Sequence, residues 1–128
     1  MREKVIIYIK RFPITLLFIV LIAYLSLFTP PKIEVEPIRF ADKWAHILMY
    51  CILEGLMFFE YERSHKKSIK TCSALCLLAL PIIYGGGLEL AQTYCTTDRS
   101  GDWMDFCANA SGCCIGFVLS RLYFRHKQ

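Results

Sequence analysis

Between Phe12 and Pro31 the chain carries no charge, and only 20% of its 128 residues are Asp, Glu, Lys or Arg. With 55% hydrophobic residues and a mean hydropathy of +0.41, it is too apolar for an ordinary soluble domain. There is no internal repeat and no low-complexity tract. The seven cysteines form no CxxC pair and no Cys/His framework with zinc spacing, which argues against a disulfide-stapled or zinc-built fold. Most lie inside apolar runs and read as small buried side chains, with Cys95, beside a loop, as the exception. No small-x-small cleavage site follows Phe28-Thr29-Pro30-Pro31, so the first apolar run reads as a retained signal-anchor helix. The net charge of +4 is no nucleic-acid signal, because the basic residues cluster at the flanks of apolar runs. No nucleophile elbow is present.

What remains is a series of apolar runs separated by charged turns. Met1 to Arg11 carries Arg2, Lys4, Lys10 and Arg11 around Val5, Ile6, Ile7 and Ile9, an amphipathic start suited to a membrane surface. Membrane spans are expected at about residues 10–29, 43–61, 71–92 and 103–124. Pro81 is expected to kink the third, and Gly85-Gly86-Gly87 to permit close packing or local unwinding. The fold expected is therefore all-α: a single domain over residues 1–128, built as a four-helix transmembrane bundle. Four spans put both termini on one side. That side, with the Arg63–Lys70 turn, holds eleven of the fifteen Lys and Arg residues, so both termini are placed in the cytoplasm.

The polar residues are patterned. Asp42, His46, Tyr50 and Glu54 recur every fourth residue and form a stripe along the second helix, with Asp42 placed to favour or cap its N-terminus. Glu54 lies roughly 18 Å below Asp42 at 1.5 Å per residue, deep in the membrane. Asp102, Asp105, Asn109, Gly112 and Gly116 follow at steps of three and four, so they share one face of the fourth helix. With this topology Asp42, Lys43, His46, Glu89, Gln92, Arg99, Asp102, Asp105 and Asn109 gather at the outer rim.

Asp-Lys-x-x-His-x-x-x-Tyr (Asp42, Lys43, His46, Tyr50), then Glu-x-x-Gln (Glu89, Gln92), then Arg-x-x-Asp-x-x-Asp-x-x-x-Asn-x-x-Gly (Arg99 to Gly112) resembles the VanZ-like family over about residues 30–124. The resemblance implies a small multi-pass protein of a bacterial cytoplasmic membrane. The founding member of that family is linked to low-level teicoplanin resistance, so altered glycopeptide susceptibility is part of what is implied. It supplies no mechanism.

Three functional readings follow. The first is recognition of an anionic cell-envelope or lipid-linked molecule, gripped by Lys43 and Arg99 with Gln92 and Asn109 adding neutral hydrogen bonds. The second is an enzyme acting on a lipid-linked substrate, with His46 as acid or base oriented by Asp42 or Glu89. Ser100, Ser111 and Cys107 are nucleophile candidates by sequence proximity alone. A metal-assisted version would use His46 with Asp102, Asp105 and Glu89, but no spacing demands it, and no metal or cofactor is expected. The third is transport through Glu54, which would need an oligomer. The structural alternative is that Lys43 with Glu89, and Arg99 with Asp102 or Asp105, simply clamp helices. The partners expected are the bilayer and an envelope ligand, and no nucleic acid.

Overall fold

The computed structural model describes residues 1–28, 40–65, 68–97 and 101–127. The described residues form five helices and no strand: α1 (Arg2–Arg11), α2 (Pro13–Leu27), α3 (Ala41–Ser64), α4 (Thr71–Cys95) and α5 (Trp103–His126). Arg99 and Ser100, and the Pro30-Pro31 pair expected to end the first span, lie outside the described residues.

The first expected span is not one helix. It breaks at Phe12, and α1 and α2 meet at 88°. Pro13 causes the break, because it has no N–H to donate and its ring excludes a helical carbonyl four residues earlier. It sits instead at the first turn of α2, where a missing N–H costs nothing. The next two N–H groups, of Ile14 and Thr15, donate to Glu60 Oε1 and Oε2 at 2.9 and 3.0 Å. A carboxylate from the far end of α3 thus caps α2 and complements its dipole. The apolar residues Val5 to Ile9 of α1 are exposed.

Side-chain contacts fix the helix directions. Tyr84 Oη donates to Ile19 O at 2.6 Å, and Gln92 Nε2 to Ser26 O at 2.7 Å, so α4 runs parallel to α2. Glu60 at the start of α2 makes α3 antiparallel to it. His46 meets Asn109, and Phe58 stacks edge-on against Phe117, so α5 runs parallel to α3. Two glycines set that last pair. A Cβ on Gly112 would overlap the Ile47 carbonyl oxygen; one on Gly116 would lie 2.6 Å from Cys51 O and 2.9 Å from Glu54 Cβ. Small residues let two backbones approach this closely.

The core between them is apolar: Ile22, Leu53, Met57, Phe58, Leu77, Leu88 and Cys113. Polar groups are buried too, among them His46, Glu54, Glu89, Gln92, Asp105 and Asn109. Leu17, Val20, Leu48, Ile52, Leu80, Ile83, Val118 and Leu119 are exposed. All seven cysteines are unpaired.

One helix, α4, is long and apolar enough to cross a membrane by itself; α1 and α2 qualify only as a bent pair. The helices α3 and α5 match α4 in length and are less apolar, because they carry the buried polar side chains. Length and composition therefore deliver fewer than the four spans expected. One local expectation also changes. Asp42 makes no side-chain cap on α3; the N-cap is Phe40, at φ 64° in the left-handed region. The glycines at 85–87 stay helical and serve the close packing expected of them: a Cβ on Gly85 would lie 3.1 Å from Tyr50 and Asn109, and one on Gly86 3.1 Å from Phe106.

Candidate functional site

The polar residues of α3, α4 and α5 meet at one end of the bundle. The first turns of α3 supply Asp42, Lys43, His46 and Tyr50. Asp102 is the N-cap of α5: its Oδ1 accepts from Met104 N–H at 3.0 Å, while Asp105 and Asn109 follow on the buried face. Glu89 reaches from α4 and accepts the Asp102 backbone N–H at Oε2, 3.1 Å away. That bond seats the start of α5 against α4. Gly101 supports it, donating its N–H to Thr93 Oγ1 at 2.9 Å.

Lys43 bridges α3 to α5. Its Nζ donates to Asp102 Oδ2 at 2.9 Å and to Asp105 Oδ1, and lies 4.0 Å from Asp42 Oδ2. Lys43 therefore pairs with two α5 carboxylates and not with Glu89, the partner expected for a simple clamp. The reason is position: Glu89 is already engaged by the Asp102 backbone. The Lys43 ammonium, with the Met104 N–H, holds the exposed Asp102 carboxyl below the usual carboxylate range.

His46 is buried, and its Nδ1 lies 2.7 Å from Asn109 Oδ1. The amide oxygen only accepts, so Nδ1 carries the hydrogen and donates. Neither Asp42 nor Glu89 orients the ring, contrary to expectation. The other nitrogen, Nε2, faces Asp42 Oδ1 at 3.8 Å and Asp105 Oδ2 at 4.0 Å, both beyond hydrogen-bond reach. Tyr50 packs one turn deeper beside Asn109: a Cβ on Gly85 would lie 3.1 Å from both side chains.

Two expected members stand apart. Gln92 turns to α2, where it holds Ser26 O. Arg99 lies outside the described residues. Glu54 sits two turns below His46, fully buried, with neither carboxylate oxygen hydrogen-bonded among the described residues. The nucleophile candidates are poorly placed. Cys107 and Ser111 are exposed, Ser111 bonds back to Cys107 O at 2.7 Å, and Ser100 lies outside the described residues.

Sequence reasoning missed Glu60 and the capping role of Asp102. A signal for Glu60 existed. Pro13 opens a helix behind Phe12, which has no side-chain acceptor, so the cap had to come from elsewhere. Asp102 followed by an apolar run is an ordinary N-cap signature.

A cleft of about 310 Å³ opens between α4 and α5 beside this cluster. Gly86, Leu90, Trp103 and Phe106 form its apolar walls, and Glu89 and Asp102 lie at its polar end. A wider cavity of about 680 Å³ lies among α1 to α4, lined by Tyr8, Phe12, Met57 and Leu77, and holds none of the expected site residues.

No family model matches the chain, and no solved structure matches it. The chain is similar to an uncharacterized protein of Schizosaccharomyces pombe, strain 972, at 25% identity over 118 residues. The match covers 92% of this chain and 67% of the yeast protein.

Proposed function

We propose that this chain is a multi-pass membrane protein of the VanZ-like kind, with four spans and both termini cytoplasmic. It binds the head group and first carbons of a lipid-linked molecule in the α4–α5 cleft at the outer face. One observation carries the membrane reading. Ionisable and amide side chains are buried while large aliphatic ones face outward: His46, Glu54, Glu89, Asp105 and Asn109 lie inside, and Leu17, Val20, Leu48, Ile52, Leu80, Ile83, Val118 and Leu119 of α2 to α5 are exposed. Water solvates such a surface poorly, and lipid solvates it well. Helices that qualify poorly as isolated spans are stable in lipid when their polar faces pair with one another.

The cleft narrows the ligand. Lys43, read from sequence as a grip for an anion, is bonded by two carboxylates. The polar end of the cleft carries Glu89 and Asp102. Carboxylates accept hydrogen bonds and repel anions, so the head group that fits donates: a hydroxyl-rich or amine-bearing one. The apolar walls suit the adjoining chain. In a bacterial host, altered teicoplanin susceptibility belongs to the same proposal through the family resemblance.

Native mass spectrometry of the chain released from gentle detergent tests this. The wild type should retain a lipid-linked molecule, and Leu90→Trp, which fills the cleft from an exposed wall without touching the polar cluster, should lose it. Equal retention by Leu90→Trp at equal folded yield would remove the cleft as the binding site.

A further inference from the structure

We propose that Asp42, His46 and Asp105 form a site for one divalent transition-metal ion at the rim of the bundle. The site goes beyond the lipid-binding reading and does not depend on it. One donor atom from each of the three residues lies within 4.8 Å of the other two. Two observations point to an ion there. The first is the histidine. Its Nδ1–H is committed to Asn109 Oδ1 at 2.7 Å, which fixes the tautomer and leaves the Nε2 lone pair facing two carboxylate oxygens. The residue is 8% exposed, and its Nε2 comes no closer than 3.8 Å to either carboxylate. With Nε2 unprotonated, three acceptors face one another, an arrangement that a cation between them stabilises, as a proton on Nε2 also would. A metal-bound histidine commonly has its second nitrogen held in this way.

The second observation is charge. Asp42, Asp102 and Asp105 surround the single ammonium of Lys43, with contacts of 4.0 Å to Asp42 and 2.9 Å to Asp102. Three carboxylates and one ammonium leave two negative charges, which a divalent ion neutralises. Lys43 engages Asp105 through Oδ1, so Oδ2 remains free to face the ion.

Geometry and donor type select the ion. Ligands about 2.1 Å from a tetrahedral centre stand about 3.4 Å apart. The gaps of 3.8 and 4.0 Å from Nε2 close to that by movements of about half an ångström, and the carboxylate-to-carboxylate gap, up to 4.8 Å, closes by rotation of Asp42, whose side chain is 63% exposed. One imidazole and two carboxylates suit zinc, cobalt or manganese and not magnesium, which takes oxygen ligands. Three protein ligands leave a fourth position open.

The test uses the full chain without a polyhistidine tag, purified in detergent, stripped with chelator and titrated with Co2+, with Zn2+ as competitor and Mg2+ as control. The wild type should bind one Co2+ per chain with visible d–d absorption and no thiolate charge-transfer band. Zn2+ should displace it, and Mg2+ should not. Asp42→Asn, whose exposed side chain makes it safe for folding, and His46→Ala should each weaken binding at least tenfold. Asn109→Ala should weaken it about 10- to 100-fold through loss of ring orientation, and Glu54→Gln should leave it unchanged. No saturable binding by the wild type would overturn the site. So would a thiolate band, which places the ion on a cysteine, or wild-type affinity in both Asp42→Asn and His46→Ala.

Discussion

Replacing Gly112 with alanine adds one methyl group where α3 and α5 touch. That methyl would overlap the Ile47 carbonyl oxygen and come within 3.0 Å of the Ile47 Cα. Both are backbone atoms of a helix, so no side chain can turn away, and the two helices must separate. Overpacking of this kind costs about 1–3 kcal/mol, and a backbone-to-backbone clash belongs at the upper end. Against it stands the higher helix propensity of alanine, about 1 kcal/mol. The net expected loss is about 2 kcal/mol, roughly a 30-fold fall in the folding equilibrium constant. Gly87 is the internal control. It lies inside α4, and a Cβ there meets nothing within 4 Å. Gly87→Ala should keep the propensity gain and be more stable by up to about 1 kcal/mol. Reversible unfolding in mixed micelles, titrated with SDS and followed by helical circular dichroism, reads both variants on one scale. A Gly112→Ala chain as stable as wild type would refute the close α3–α5 approach. A Gly87→Ala chain that loses as much as Gly112→Ala would refute the packing argument itself.

Two further substitutions probe the buried carboxylates of α3. Glu60→Ala removes the acceptor of the Ile14 and Thr15 N–H groups; it should cost about 1–2 kcal/mol in the same unfolding assay and expose the Phe12–Thr15 junction to protease, with Glu60→Gln losing less. Glu54 is buried with no hydrogen bond to its carboxylate among the described residues. Exchanging it for methionine, similar in size and apolar, should raise stability by about 1–3 kcal/mol; a fall of that size would mean that Glu54 has a partner in the working protein.

The elements were legible where apolar runs met clear punctuation. The bounds expected for the last three helices, 43–61, 71–92 and 103–124, fall within three residues of those observed at each end. Steps of three and four along α5 brought Asp105, Asn109, Gly112 and Gly116 to one buried face, as helix geometry requires. Periodicity names a face and not what lies opposite it. Spacing alone therefore offers Lys43 an anionic ligand or Glu89 and offers His46 a carboxylate, where the structure gives Lys43 Asp102 and Asp105, and His46 Asn109. Both choices depend on the rotation and height of neighbouring helices, which no single helix encodes. Pro13 was visible but lay inside an uncharged run, and hydropathy concealed the right-angle break that its missing N–H imposes. Gln92 was placed with the rim because of its spacing from Glu89; one turn beyond, it reaches α2 instead.

Two native cysteines mark opposite ends of the bundle. Cys95 is exposed at the C-terminal end of α4, near the Glu89–Asp102 contact, and Cys72 is exposed at its N-terminal end. Variants retaining one cysteine each should be treated, in intact cells, with a membrane-impermeant maleimide before and after permeabilisation. A bundle with cytoplasmic termini and an outward-facing polar rim predicts that Cys95 is labelled in intact cells and Cys72 only after permeabilisation. The reverse order would turn the polar rim to the cytoplasm. Equal labelling of both, or recovery of the chain in the alkali-soluble fraction, would contradict the membrane bundle.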